Sequence, residues 1–498
     1  MAGDSGARLK LLLDTNAFIA LEPTSTTTEI GLLSGVELLR LADDGGHGIY
    51  LAAATRTDLA RDRDVARRSA RLKMMSKYRS LAALRPSDDL IRRADNGKEH
   101  DRASHDGVDL ELLAAVDVGV VDYLVTDDVK LRRRARRAGL YERVLPIAEA
   151  AELLRNLLPG EATPPPAVEV LGVYQLDHSD EIFTSLREDY DDFDAWLKKI
   201  IYEHRKAHLI SDDDGRYSGL MIIKDEPDDD LDLPGKVLKV STLKVAKHAR
   251  GRKYGELLLK HLFAVAHGRS FDYIYITAHS KQDELIELLL GFGFEIHDEP
   301  RPTGETALVK HLRPTSPDEA DPLSMHVRYG PPYVDPRSKV FVVPIQPHLH
   351  ERLFPDASIL LDFWSGETSF GNALRKAYVS RANARTVEPG DTLLFYRSDD
   401  TQAVIMIGVV EEVRECATPD DVLRFVSRRT VYTVAEIERM SEEGQIHAML
   451  FRQDRMLPQR WGLKDLKRRG VLAGPPQSIT QVREVGARWV HQQLAESP

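Results

Sequence analysis

Residues 237–255 read VLKVSTLKVAKHARGRKYG, and this stretch decides the fold of the middle of the chain. Positions 237–245 alternate in polarity and carry β-branched side chains, the pattern of a strand. A basic turn with glycines at 251 and 255 follows, and then an apolar run with helical spacing over 254–267. A strand, a glycine-containing turn and a helix start aim backbone N–H groups and the helix dipole at an anion. Arg250, Arg252 and Lys253 add positive charge. The competing reading is a basic turn with no ligand.

Working outward, the pattern gives further strands at 168–174, 219–224, 273–277 and 306–310, and helices at 194–204 and 282–290. That is a mixed α+β layout. In the order of its motifs, the segment 168–313 resembles the GNAT acetyltransferases. The family's pyrophosphate loop reads Arg/Gln-x-x-Gly-x-Gly/Ala. Arg250 and Gly255 match its ends, Gly251 keeps the Arg-Gly opening, and Lys253 stands at the central glycine. The resemblance implies acetyl-CoA as cofactor, held by Leu243, Val245, Arg250, Gly251, Arg252, Lys253, Tyr254 and Gly255. It also marks two departures: Leu289 where many members have a tyrosine, and Gln282 where the family often has asparagine. No general base is visible from spacing, so transfer rests on positioning. The acidic run 177–194 reads as a solvated face, with attraction of a basic amine as the alternative.

Two linkers frame this segment. Residues 159–167 (PGEATPPPA) and 314–324 (PTSPDEADPLS) lack periodicity and are rich in proline. They divide 498 residues into three pieces, 1–158, 168–313 and 325–498, each long enough for its own core. A hydrophobic share of 42% with 30% charged residues is that of packed domains and excludes global disorder. No run approaches the roughly 18 apolar residues of a membrane helix. The first twenty residues read as a strand and not as a signal peptide. The single cysteine, Cys416, excludes an intrachain disulfide and a cysteine-based zinc site, and the reading is of a cytoplasmic protein. The net charge of −11 disfavours a nucleic-acid partner until it is divided. The first piece sums to 0, the middle to −8 and the last to +1, with the remaining −4 in the two linkers, so both ends can still present basic faces.

The first piece alternates strands (9–13, 48–52, 123–126) with helical runs (56–84, 110–116), which predicts a three-layer α/β domain with a parallel sheet. Acids fall where those strands end: Asp14, Asp58, Asp109 and Asp128. Several carboxylates converging on one point call for a hard cation such as Mg²⁺ or Mn²⁺, which activates water and stabilises phosphoryl charge. The ordered motifs LLLDTNAFIA, VDLELLAAV and YLVTDD resemble the PIN-domain nucleases over residues 8–158. The resemblance implies metal ligation by Asp14, Asp109 and Asp128, catalysis by these with Asp58, and support from Asn16 and Thr126. Asp58 stands where the family usually has glutamate, and Asp106 competes with Asp109 for the third place. Basic residues crowd 61–79, and Arg132, Arg133, Arg134, Arg136 and Arg137 follow the TDD turn, as a phosphate backbone requires. A solvated helix face is the alternative for the 61–79 run.

The last piece is strand-rich (339–344, 391–396, 403–413, 447–452) with a helix expected near 371–380, which suggests a small β-barrel with added helices. PGDTLLFYRS, IMIGVVEEV and MLFRQDR resemble the PUA-like superfamily of EVE and ASCH type. The Gly-x-Lys-x-x-x-Glu signature common among ASCH members is missing. The resemblance implies RNA binding or recognition of a modified base, with Trp364, Tyr396 and Trp461 as stacking candidates. Buried aromatics holding a core together are the competing reading.

Together these readings describe an RNA-directed protein with a PIN-like ribonuclease domain, a GNAT-like acetyltransferase domain and a PUA-like nucleic-acid-binding domain. Its acetyl acceptor would be an amine. Two alternatives stand beside it: a protein or small-molecule N-acetyltransferase with inactive flanking domains, and a non-enzymatic RNA-binding regulator that senses acetyl-CoA.

Overall fold

The structure is a computed structural model. It describes residues 9–21, 32–98, 100–101, 104–158, 166–190, 192–212, 214–226, 231–279, 282–297, 304–314, 320–355, 372–382, 384–426 and 429–496. The chain forms two compact units. The first comprises residues 1–160 with 416–446, and the second comprises 161–415 with 447–498. Among the described residues no helix is long and apolar enough to cross a membrane.

In the first unit, β1 (Lys10–Leu13), α1 (Thr15–Leu21), α2 (Leu32–Asp44), β2 (Gly48–Ala52), α3 (Ala53–Leu59), α4 (Val65–Met74) and β3 (Arg79–Leu81) follow in order. Then come α5 (Asp88–Asp95), α6 (His105–Asp117), β4 (Tyr123–Val125), α7 (Val129–Arg137), β5 (Val144–Leu145) and α8 (Ile147–Leu157). The five strands pair in parallel in the order β3-β2-β1-β4-β5. Leu11, Leu12 and Leu13 are fully buried, as expected of a central parallel strand covered on both faces. The order reverses between β1 and β4, so the crevice at their carboxyl ends is the topological switch point. Helices Pro419–Val426 and Val434–Glu442 complete this unit. There the Tyr123 hydroxyl donates to the Leu423 carbonyl at 3.0 Å, and buried Asp122 accepts from Lys10 N and Arg424 Nε.

The helical run expected over 56–84 is three pieces. The Asp64 side chain accepts from Arg67 N and starts α4 afresh, and residues 79–81 pair with 50–52 as an edge strand.

The second unit opens with β6 (Glu169–Gly172), α9 (Glu181–Asp189), α10 (Phe193–Tyr202), β7 (Lys206–Ser211), β8 (Tyr217–Glu226) and β9 (Val237–Val245). It continues through α11 (Tyr254–Gly268), β10 (Tyr273–His279), α12 (Asp283–Gly291), β11 (Glu295–Ile296) and β12 (Glu305–His311). Seven strands form a mixed sheet, β11-β12-β10-β9-β8-β7-β6, in which only β9 and β10 run parallel. Leu258, Leu262 and Phe263 of α11 and Leu289 of α12 pack with Ile274 and Ile276 of β10. Phe183 of α9 and Phe193 and Ile200 of α10 pack with Leu209 and Leu220, on β7 and β8. α13 (Pro322–Tyr329) is tied on by fully buried Lys310, whose Nζ donates to the Val327 and Arg328 carbonyls at 2.8 Å.

The remaining elements are β13 (Val340–Ile345), α14 (Pro347–Leu353), β14 (Arg375–Ser380), β15 (Thr392–Arg397), β16 (Ala403–Cys416), β17 (Ile446–Gly462) and β18 (Thr480–Gln481). They form a six-stranded mixed sheet, β14-β17-β16-β15-β13-β18, with helices Leu463–Arg468 and Glu484–Glu496. The helix expected near 371–380 is corrected: residues 375–380 are a strand, paired antiparallel with 447–452. Two partners outweigh helix propensity here, a cross-strand ladder and a buried face comprising Lys376–Val379.

Candidate functional site

Two places in the fold gather the chemistry expected from the sequence. The first lies where β9 and β10 part. Their parallel ladder runs from Val237↔Tyr273 to Val240↔Ile276 and stops, although β9 continues to Val245 and β10 to His279. The cause is local. Ile223 pairs with Val240 and Ile222 with Thr242, so Ser241 is an extra residue, a β-bulge that bends β9. Beyond the bulge the two strands continue without pairing to each other.

The loop 246–253 leads from the end of β9 into α11. Gly251 (φ +88°) and Lys253 (φ +60°) both adopt left-handed backbone. Lys253 therefore meets the conformational demand that glycine meets more cheaply, which accounts for the family pattern at that position. Lys253 is also the N-cap of α11 and makes no side-chain cap, and the helix ladder begins only with Leu257 N on Lys253 O. The N–H groups of Tyr254, Gly255 and Glu256 precede that ladder and face the cap, an anion-binding arrangement. A Cβ on Gly255 would come 3.0 Å from Leu288 Cδ2, so glycine lets α11 approach α12 closely. Arg250 and Arg252 are exposed, and Arg250 lies 4.0 Å from Glu284. Lys253 Nζ lies 3.7 Å from Glu256, whose carboxylate accepts Leu374 N at 2.9 Å. Leu243 and Val245 pack on the α11 side of the sheet.

The sequence reading missed a polar group at the end of β10. His279 N donates to Gln282 Oε1 at 2.9 Å, and Gln282 Nε2 donates to the Tyr190 hydroxyl at 3.3 Å. His279 Nε2 lies 3.8 Å from Glu305, and its ring sits 5.3 Å from that of Tyr190. Extending the 273–277 alternation by two residues would have put His279 on the face of Thr277, away from α11. Leu289 is core.

The second place is the switch point of the first unit. Asp14 is buried, accepts from the Thr126 hydroxyl at 2.8 Å and bonds Thr15 N. Burial foremost, with Asp128 and Asp58 nearby, lifts its carboxyl to about 6 against those two hydrogen bonds. Asp109 rises to about 7, again chiefly by burial, although the Arg134 guanidinium pulls it down. Asp128 Oδ1 caps α7 through Lys130 N and Leu131 N. Asp58 accepts from the Thr15 hydroxyl at 3.1 Å and pairs with Arg61. Asn16 Nδ2 donates to Thr126 Oγ1 at 3.3 Å. Asp106 and Asp109 are both engaged, one by each terminal nitrogen of Arg134. Yet among the described residues no group of three His, Cys, Asp or Glu side chains is spaced to hold a metal ion.

The nucleic-acid candidates scatter. Arg132 is buried and Arg134 is turned onto the acids, while Arg133 and Arg137 are exposed and Arg136 stacks over Tyr141. Within 61–79, Arg67 and Arg71 pair with Asp62. Tyr396 is buried in the core, and Trp461 packs on Trp489 with ring centroids 4.9 Å apart. Trp364 lies outside the described residues.

Residues 170–294 match the acetyltransferase (GNAT) family. Among solved structures, the chain is similar to ASCH from Zymomonas mobilis, with 16% identity, 32% of this chain and 94% of that chain covered, and a TM-score of 0.24. It is also similar to an IAA acetyltransferase from Bacillus cereus, with 14% identity, 30% and 100% covered, and a TM-score of 0.23. A GNAT-family acetyltransferase from Staphylococcus aureus gives 15% identity, 30% and 100% covered, and a TM-score of 0.23. No curated protein matches the chain. The family match bears out an acetyltransferase domain in the middle third.

Proposed function

We propose that the chain is an N-acetyltransferase that draws on acetyl-CoA where β9 and β10 part and acts on an amine carried by or bound with RNA. The observation that carries the reading is the bulge at Ser241 beside a helix start without a side-chain cap. Bound acetyl-CoA supplies an activated acetyl thioester. The N–H groups of 254–256 and the side chains of Arg250 and Lys253 hold its pyrophosphate. The backbone of β9 beyond the bulge hydrogen-bonds the amides of its arm as a neighbouring strand would. The amine nitrogen would attack the thioester carbonyl, the C–S bond would break with its electron pair leaving on the CoA sulfur as thiolate, and the amine proton would pass to His279, 3.8 Å from Glu305.

The RNA part rests on the exposed Arg133 and Arg137 and on the resemblances of the outer thirds. The resemblance of the first third carries a ribonuclease reading with Mg²⁺ or Mn²⁺. Among the described residues, the carboxylates at the switch point are not spaced as a metal set. Calorimetry with acetyl-CoA tests the main reading: replacing Arg250 and Lys253 together by glutamate should abolish binding. Unchanged affinity would mean that the loop is only a turn.

A further inference from the structure

We infer that Arg134 is the resident counter-cation of the carboxylate cluster in the first unit, and that the native chain therefore takes up no divalent ion there. The α7 helix is fixed on both sides. The Asp128 side chain caps its start, and Leu131 and Ala135 are buried beneath it. This places Arg134 between the starts and ends of neighbouring helices. One terminal nitrogen donates to Asp109 and the other to Asp106, in the second and first turns of α6. Asp95, at the end of α5, lies 3.5 Å from the same guanidinium. The Arg134 side chain is only 11% exposed and that of Asp109 18%, so water does little to screen that pair.

A guanidinium is planar, always charged and forked, and so it suits two carboxylates at once. A divalent cation needs several oxygens aimed at one point, and here each carboxylate is already held by another partner. Asp109 is on Arg134, Asp58 on Arg61, Asp128 on two backbone N–H groups, and Asp14 on Thr126 and Thr15. A cation entering beside Asp109 would also meet a fixed positive charge in a poorly screened site. His100 adds a polar partner, contacting Asp95 and lying 3.4 Å from Asp106. The sequence offered Arg134 as a phosphate contact, whereas the fold spends it inward.

The test uses the full chain stripped with chelator and titrated with Mn²⁺ by calorimetry. The native protein and Arg134→Lys should show no saturable uptake at millimolar Mn²⁺. Arg134→Gln should gain at least tenfold in Mn²⁺ affinity, and adding Asp109→Asn to it should remove the gain. Absence of that gain in a folded Arg134→Gln protein would overturn the inference. So would native uptake that Asp14→Asn or Asp109→Asn removes, an arm that decides the matter even where Arg134→Gln does not fold.

Discussion

Asp109→Asn should make the first unit more stable at neutral and alkaline pH and leave it unchanged in acid. The Asp109 carboxyl, ordinarily ionising at 3.8, is pushed up to about 7. Roughly three pH units at about 1.4 kcal/mol each give about 4 kcal/mol of cost to the ionised form. The direction follows from which state gives up the proton first. Below about pH 4 both folded and unfolded chains carry it and there is no cost. Between about 4 and 7 only the unfolded chain has lost it, so stability falls as pH rises, and above 7 the full cost is present. An asparagine does not titrate. The substituted unit should exceed the native one by up to about 4 kcal/mol at pH 8, less the lost bond to Arg134. The four tryptophans, at 196, 364, 461 and 489, all belong to the second unit, so fluorescence does not report on the first. Hydrogen exchange of peptides from β1 and α6, with chelator present and corrected for the intrinsic pH dependence, does. If protection falls with pH as steeply in Asp109→Asn as in the native chain, the buried carboxylate is not the source and the reasoning fails.

Two further outcomes are expected. Arg424→Met leaves Asp122 buried with only the Lys10 N–H and should cost the first unit about 3 kcal/mol in the same exchange measurement; equal protection would detach residues 416–446 from that core. Lys253→Gly should be tolerated while Lys253→Val loses about 1–2 kcal/mol, because only the former suits a φ of +60°. Tryptophan-detected unfolding of the second unit compares them, and equal midpoints would contradict the left-handed backbone.

The strands were legible wherever burial wrote continuous or alternating apolar residues. Residues 48–52 and 237–245 are strands at the bounds their patterns gave. Short edge strands were not. Arg79–Leu81 looks like the tail of a basic helix, and its pairing with β2 is a tertiary fact. The acidic run read as a solvated face contains α9, whose Ile182, Phe183 and Leu186 are buried between the acids. At the sites, the turn at 246–255 announced itself by residue type and His279 was within reach of the 273–277 alternation, whereas the bulge was not legible: Ser241 carries no mark of being the extra residue. The arginines after the TDD turn were visible as charge, but only helix phase and packing decide that Arg132 and Arg134 face in, that Arg137 turns onto the Ala94 carbonyl and that Arg133 is exposed.

The return of residues 416–446 to the first unit also sets a timetable for synthesis. The sheet of that unit is complete in sequence by residue 157, yet Asp122 must wait for Arg424 and Tyr123 for the carbonyl of Leu423. At about 5–20 residues per second, the intervening chain takes on the order of 15–60 s to emerge. Throughout that interval the nascent unit exposes a surface that belongs under two helices not yet made. The apolar surface that Val422, Leu423 and Val426 later help bury is then open to association with other chains, and a ribosome stalled before residue 446 leaves the first-made part of this protein as its least finished.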